Sequence, residues 1–178
     1  MTIEYSLTEE DFLEYQFYIA SKSKLNRKRR TQARIFISLA YLILGAYFLY
    51  QHENYLVGGA LMIFAVSWFV FYPHYSKWRY HRYLKGFIRE NYSNRINQTA
   101  TLIFDSDAIE AKSGSSKSSI AYSEVESLIE RQNHFFIQLV NNLSLIVPER
   151  ALKNGDEFIS KLTSHGVKYL DEAEKIWK

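Results

Sequence analysis

The sequence predicts an α+β membrane protein, in which a two-helix transmembrane hairpin is followed by a β-rich cytoplasmic domain closed by a C-terminal helix. Three observations support this fold class. Two uncharged apolar stretches are separated by only four residues, and dense Lys and Arg lie on their outer sides. Short alternating segments, divided by turn residues, fill the second half of the chain.

The two apolar stretches are the strongest of these signals. Residues 35–50 and 55–71 contain no formally charged side chain. At about 1.5 Å per residue each helix would cover roughly 24 to 27 Å, slightly less than a hydrocarbon core of about 30 Å, and flanking side chains can cover the difference. We therefore expect transmembrane helices over 33–50 and 55–72, joined by an external turn over 51–54.

A pair of buried helices in a soluble core is the alternative for these stretches, because the first is only sixteen residues long. A soluble helix normally carries a polar stripe along one face. Neither stretch has one, so the pattern favours the membrane.

Charge asymmetry predicts the orientation of the hairpin. Seven Lys or Arg residues precede the first stretch, five more lie within residues 77–89 after the second, and the turn 51–54 has none. The positive-inside rule then places both termini in the cytoplasm of a multi-pass protein of the cell (inner or plasma) membrane. Acidic residues fill the region 4–14, where a cleavable signal peptide would be basic, so the first membrane helix is expected to direct insertion itself.

The basic flanks also bear on partners. Basic residues beside a membrane span set topology and attract anionic lipid head groups. No nucleic-acid-binding motif accompanies them, so nucleic acid is not an expected partner. The candidate lipid-head-group contacts are Arg27, Lys28, Arg29, Arg30, Lys77, Arg79, Arg82 and Lys85.

Helical arms flank the hairpin on both sides. The N-terminal arm and basic flank, 1–30, begins with a strand or extended lead over Ile3–Ser6. A helix follows that Thr8 caps and that runs to about Lys24. After the hairpin, a basic juxtamembrane helix over 73–92 continues the second span and bends at Pro73.

The region 93–178 reads as a five- or six-stranded antiparallel meander, closed by a helix from about Asp156 to His165. Alternation and the apolar helix face predict a core of Leu102, Phe104, Ile120, Val125, Phe136, Ile146 and Phe158. The predicted strands are Thr99–Phe104, Ala108–Lys112, Ser118–Tyr122, Val125–Arg131, Phe135–Val140 and Ser144–Val147.

The sequence contains no catalytic constellation. Cysteine is absent, and none of the five histidines stands in a metal-binding pattern. The segment Ser113–Lys117 lacks the Walker pattern of a phosphate loop and reads as a hairpin tip. No catalytic residue, cofactor or metal is therefore predicted, and we do not expect an enzyme.

Three short stretches, together with the hairpin, resemble the YcxB-like family of bacterial membrane proteins. The stretches are Ile3–Phe12, Ser119–Val125 and Leu145–Ala151. The resemblance implies that 93–178 is a YcxB-like cytoplasmic domain with a fold similar to pleckstrin-homology-like domains. It implies no activity.

Three functional classes follow from these features. The expected function is that of a membrane-anchored interaction or regulatory protein without catalytic activity, whose partners are membrane lipids and an unidentified protein. The first alternative is a lipid- or small-ligand-sensing domain that uses Lys112, Lys117 and the juxtamembrane bases. The second alternative is an unrecognised membrane enzyme.

Overall fold

The computed structural model describes residues 1–51, 55–114 and 116–173. Contacts divide the chain into two compact units. One, the helical unit, is Phe17–Leu84, and the other, the β unit, combines Met1–Gln16 with the chain from Lys85 onward. The α+β class is confirmed. Residues 52–54 of the predicted external turn lie outside the described residues, as do Ser115 of the predicted hairpin tip and the last five residues of the predicted domain.

Three long helices occupy the regions where the sequence predicts them. α1 spans Glu9–Lys22, α2 spans Lys24–Gln51 and α3 spans Tyr55–Asn91. α2 and α3 are both long and apolar enough to cross a membrane. α2 begins well before the predicted span, so the basic segment ahead of it is helical too. α3 continues through Pro73 as one helix, so the predicted juxtamembrane helix and second span form a single element.

Small residues lie where α2 and α3 pack against each other. Gly45 and Gly58 are both buried, and a Cβ atom added to Gly58 would lie 2.9 Å from the carbonyl oxygen of Gly45. Ser38 and Ala65 are buried as well, each seven residues from one of these glycines. Large apolar side chains on the same helices are exposed, among them Phe36, Ile43, Ile63, Val66 and Phe71. This packing is the reverse of that in a soluble helical core.

Eight strands form two four-stranded sheets in the described part of the β unit. The first sheet has the order β1-β2-β3-β4 and is antiparallel throughout. Its strands are β1 (Thr2–Ser6), β2 (Thr99–Phe104), β3 (Ala108–Ser113) and β4 (Ser116–Ala121). The second sheet contains β5 (Val125–Arg131), β6 (His134–Leu139), β7 (Ser144–Pro148) and β8 (Lys168–Asp171), in the order β7-β6-β5-β8. The helix α4, Gly155–Thr163, connects β7 to β8.

The prediction of a single meander is wrong. A 3-10 turn at Tyr122–Glu124 separates β4 from β5, so the strands divide between two sheets and Tyr122 leaves the predicted strand. The predicted closing helix is not the last element, because β8 follows it and pairs in parallel with β5. β1 joins the first sheet by pairing with β2, which follows both apolar helices in the chain.

All seven predicted core residues are buried, but they occupy two layers. Five of them join one cluster built from both sheets and α4. Phe136 and Ile146 stand outside that cluster, because side chains alternate between the two faces of a strand. The ring of Phe136 meets Tyr15 of α1 with centroids 5.3 Å apart, so the start of α1 covers the second face of the β7-β6-β5-β8 sheet.

Candidate functional site

The candidate lipid contacts in the helical unit are nearly all exposed. Arg27, Lys28 and Arg29 point away from the packed surface of α2, and Lys77, Arg79 and Arg82 are exposed on α3. Arg30 differs from them: it is buried, with its guanidinium 5.9 Å from the centre of the Tyr80 ring.

The two basic segments lie at the same end of the helical unit. Arg34 in the first half of α2 reaches Phe69 of α3, and Arg30, earlier on α2, reaches Tyr80. Gly45 and Gly58 meet farther along α2. The helices therefore run antiparallel, so that the start of α2 lies beside the second half of α3.

Few acidic residues accompany this charge in the sequence. Twelve Lys and Arg residues lie between Glu14 and Glu90, and the one acidic residue among them is Glu53. Aromatic rings accompany the cations: the guanidinium of Arg82 lies 5.1 Å from the ring centre of the exposed Trp78. Such a basic and aromatic surface is suited to the phosphate and glycerol region of a bilayer.

Lys85 belongs to the β unit and has an acidic partner there. Its Nζ lies 3.9 Å from Glu9 on α1, and the Arg89 side chain, one helical turn further on, lies 3.1 Å from the same carboxylate. These ion pairs connect the start of α1 to the end of α3. The charge of Lys85 is therefore already partly balanced within the protein, which makes it a weaker candidate for lipid contact.

The two lysines of the β3–β4 hairpin also meet a carboxylate. Lys112 and Lys117 lie 3.5 and 3.2 Å from Glu110, and the hydrogen bond from Lys117 is the main cause that lowers the pKa of Glu110. Because Glu110 neutralises part of their charge, this tip attracts an external anion less than the helical unit does.

A buried ionic cluster in the β unit has no counterpart among the sequence predictions. Asp11 is only 2% exposed, and its carboxylate accepts hydrogen bonds from three residues. The backbone N–H and hydroxyl of Thr8 donate at 2.7 and 2.9 Å, and Arg150 donates from both Nη atoms at 2.8 and 2.5 Å. His134 Nε2 lies 2.7 Å from Oδ1 of Asp11, the oxygen that also accepts from Arg150 Nη1. We call Thr8, Asp11, His134 and Arg150 the Asp11 cluster.

Opposing effects set the protonation of Asp11. Burial alone would raise its pKa, but the hydrogen bonds from Arg150, His134 and Thr8 outweigh burial and hold the pKa far below its usual range. The carboxylate is therefore ionised, and His134 must donate from Nε2. Five donors saturate this carboxylate, so the Asp11 cluster connects parts of the β unit and leaves no free base at Asp11.

Each of the three stretches that resemble the YcxB-like family supplies contacts inside the β unit. Thr8 and Asp11 come from the first, and Arg150 from the third. Tyr122, from the second, donates its hydroxyl to the carbonyl of Asp105 at 3.0 Å and stacks on His165 at a centroid distance of 3.9 Å. A sequence signal for the cluster existed in Thr8-x-x-Asp11, the spacing of a helix capping box.

An open cavity of about 540 Å³ lies beside Arg150. It is lined by Asn133, Glu149, Arg150, Leu152, Lys153 and Gly155. Its charges are mixed, because Glu149 faces the same space as the two cations. Among residues 1–51, 55–114 and 116–173, no group of three His, Asp or Glu side chains is arranged to hold a metal ion.

Comparison with known proteins locates the family likeness. Residues 104–162, from the end of β2 to α4, match the model of the family described as YcxB-like protein. The comparisons with curated proteins and with solved structures gave no match. The resemblance to the YcxB-like family is thus confirmed over residues 104–162, which we call the YcxB-like segment, and the stretch Ile3–Phe12 lies outside the match.

Proposed function

We propose that this chain is a membrane-anchored interaction or regulatory protein without catalytic activity. In this proposal α2 and α3 span the cell membrane with both termini in the cytoplasm, and the β unit is displayed at the inner face. The observation that carries the proposal is the packing of the helical unit, in which small residues are buried between the helices and large apolar residues face outward.

The exposed apolar surface supports the membrane part of the proposal. In the apolar window of each helix only 11% of the residues are buried. Monomeric soluble proteins rarely expose a contiguous apolar surface of this size, because contact with water is unfavourable. Lipid removes that penalty, and helices satisfy their own backbone hydrogen bonds within the bilayer. Small residues between membrane helices let the backbones approach closely, as Gly45 and Gly58 do.

The arrangement of the β unit supports the proposal that its outer surface binds a partner. Its apolar side chains are used in a shared core, and the buried ionisable groups Asp11 and His134 are engaged with each other. The YcxB-like segment and the two four-stranded sheets around α4 support our proposal that this unit has a pleckstrin-homology-like fold. Such a unit acts through the partner that its surface selects.

Photo-crosslinking in native membranes tests the interaction role. A photoreactive amino acid is placed singly at the exposed positions Leu143, Ser118 and Lys153 of the full-length protein. We expect one position to give a discrete crosslink to another protein, and we expect that crosslink to weaken when the core substitution Phe104→Ala destabilises the β unit. Crosslinks to lipid alone, or an identical set of products from all three positions with and without Phe104→Ala, would contradict the proposal.

Lipid sensing is the second candidate, because the cations of the helical unit have no acidic residue beside them in the sequence. Native mass spectrometry of the full chain from nanodiscs of mixed zwitterionic and anionic lipid tests it. A sensor would retain one anionic lipid even in high salt, whereas surface attraction of about 1 kcal/mol per base is screened. Retention lost in Arg27→Ala/Arg29→Ala but kept in Lys112→Ala/Lys117→Ala would place the lipid at the helical unit.

A further inference from the structure

Pro73 leaves one carbonyl of α3 without its helical partner. In an α-helix the N–H of each residue bonds to the carbonyl four residues earlier, and proline has no N–H. The carbonyl that Pro73 deprives is that of Phe69, within the apolar part of α3. In lipid no water is available to satisfy such a carbonyl, so a helix with an internal proline needs another donor there.

Arg34 is that donor. Its Nε donates to the carbonyl oxygen of Phe69 at 2.8 Å, and its guanidinium lies 3.9 Å from the centre of the Phe69 ring. The hydrogen bond and the ring contact both join α2 to the same residue of α3. The edge of the planar guanidinium therefore contacts the Phe69 carbonyl, and its face contacts the Phe69 ring.

We propose that Arg34 and Pro73 form a latched hinge in the helical unit. Arg34 supplies the hydrogen bond that Pro73 removes, so α3 passes through the proline unbroken and is fixed to α2 at this level. When Arg34 is withdrawn, the Phe69 carbonyl loses its donor and α3 bends and opens at Pro73. The hinge separates the apolar part of α3 from the basic part that follows.

This role distinguishes Arg34 from the other bases that precede the first apolar stretch. Arg29, five residues earlier on α2, is exposed and could act through its charge alone. Arg34 acts through the position of one nitrogen atom. Arg29→Ala is therefore the matched control, since it removes the same charge from the same helix.

Hydrogen exchange of the full-length protein in nanodiscs tests the latch. Arg34→Ala is expected to speed exchange of the amides over residues 70–77 by about tenfold or more, because a hydrogen bond to a charged donor is lost. Arg29→Ala is expected to leave those rates unchanged. Pro73→Ala restores the missing N–H, so the double variant Arg34→Ala/Pro73→Ala should exchange as slowly as Pro73→Ala alone.

Two results would overturn the proposal. One is that the amides of residues 70–77 exchange at the same rates in Arg34→Ala as in Arg29→Ala. The other is that Arg34→Ala increases these exchange rates as much in the Pro73→Ala background as in the natural chain. If Arg34→Ala does not fold, recovery of the fold in the double variant supports the latch, and failure of the double variant to fold contradicts it.

Discussion

Arg150 donates hydrogen bonds to both carboxylate oxygens of Asp11, which stands 139 positions earlier in the chain. The contact joins the first turn of α1 to the 3-10 turn that follows β7. Because β1 also pairs with β2, the first sixteen residues are tied to residues 99–103 by strand pairing and to the YcxB-like segment by the Asp11 cluster. The β unit is therefore discontinuous in sequence, with the hairpin inserted between its two parts.

Replacing Asp11 by Asn should destabilise the β unit strongly. The substitution removes the charge that three surrounding residues contact and leaves the Arg150 and His134 donors poorly paired. Breaking a buried ionic pair by removing one partner costs about 3 to 5 kcal/mol. Chemical denaturation followed by β-sheet circular dichroism measures the loss. Glu126→Gln, an exposed carboxylate on β5, is the control and should change the free energy of unfolding by less than about 0.5 kcal/mol.

The contribution of Asp11 should depend on pH in one direction. Its pKa is lowered in the folded protein, so the stabilisation is present above the unfolded value of about 4 and is lost as the pH falls below it. The difference in unfolding free energy between the natural chain and Asp11→Asn should therefore shrink from about pH 6 to about pH 3. A difference that stayed constant over this range would show that the charge of Asp11 is not what stabilises the cluster.

Phe104 should be essential to the shared core. It is 2% exposed and packs edge-to-face against Phe158 of α4, with ring centroids 5.6 Å apart. Phe104→Ala should lower the free energy of unfolding by about 3 to 5 kcal/mol. Val140→Ala is the comparison, since Val140 is exposed at the β6–β7 turn and should change stability by under about 0.5 kcal/mol. Equal effects of the two substitutions would refute the core assignment.

Adjacent glycines of α3 should respond differently to the same methyl group. A Cβ on Gly58 would lie 2.5 Å from Leu49 Cγ and 2.9 Å from the backbone oxygen of Gly45, whereas a Cβ on Gly59 meets nothing within 4 Å. Gly58→Ala should destabilise the packing of α2 against α3 by about 1 to 3 kcal/mol. Gly59→Ala should be neutral or slightly stabilising, because Ala favours helix. Unfolding in detergent measures both, and a harmless Gly58→Ala would exclude this packing.

Local signals predicted the individual elements well. The Thr8 cap and its acidic first turn set the start of α1, and the strand and turn signals located the strand Val125–Arg131 to the residue. Long-range pairing was not predictable in the same way. The partner of β1 lies beyond both apolar helices, and β8 is only four residues long, with a charged residue at each end. The residues of neither strand indicate which strand it pairs with.

The candidate sites also divide into features that local sequence predicts and features that depend on long-range contacts. The basic flanks were found because charge can be counted along the chain. Arg30 and Arg34 differ from the other bases because of what α3 places beside them. The Tyr80 ring lies beside Arg30, and the ring and carbonyl of Phe69 lie beside Arg34. The Asp11 cluster combines residues from α1, β6 and the turn after β7, and only the folded chain brings these together.

Single-cysteine accessibility tests the membrane hairpin most directly, because the natural chain contains no cysteine. Gln51→Cys at the end of α2 and Ser93→Cys just after α3 are each exposed to a membrane-impermeant maleimide, in intact cells and after lysis. We predict that Gln51→Cys is labelled in intact cells and that Ser93→Cys is labelled only after lysis. Labelling in the opposite pattern, or release of the protein from membranes by alkaline carbonate, would contradict a hairpin with both termini in the cytoplasm.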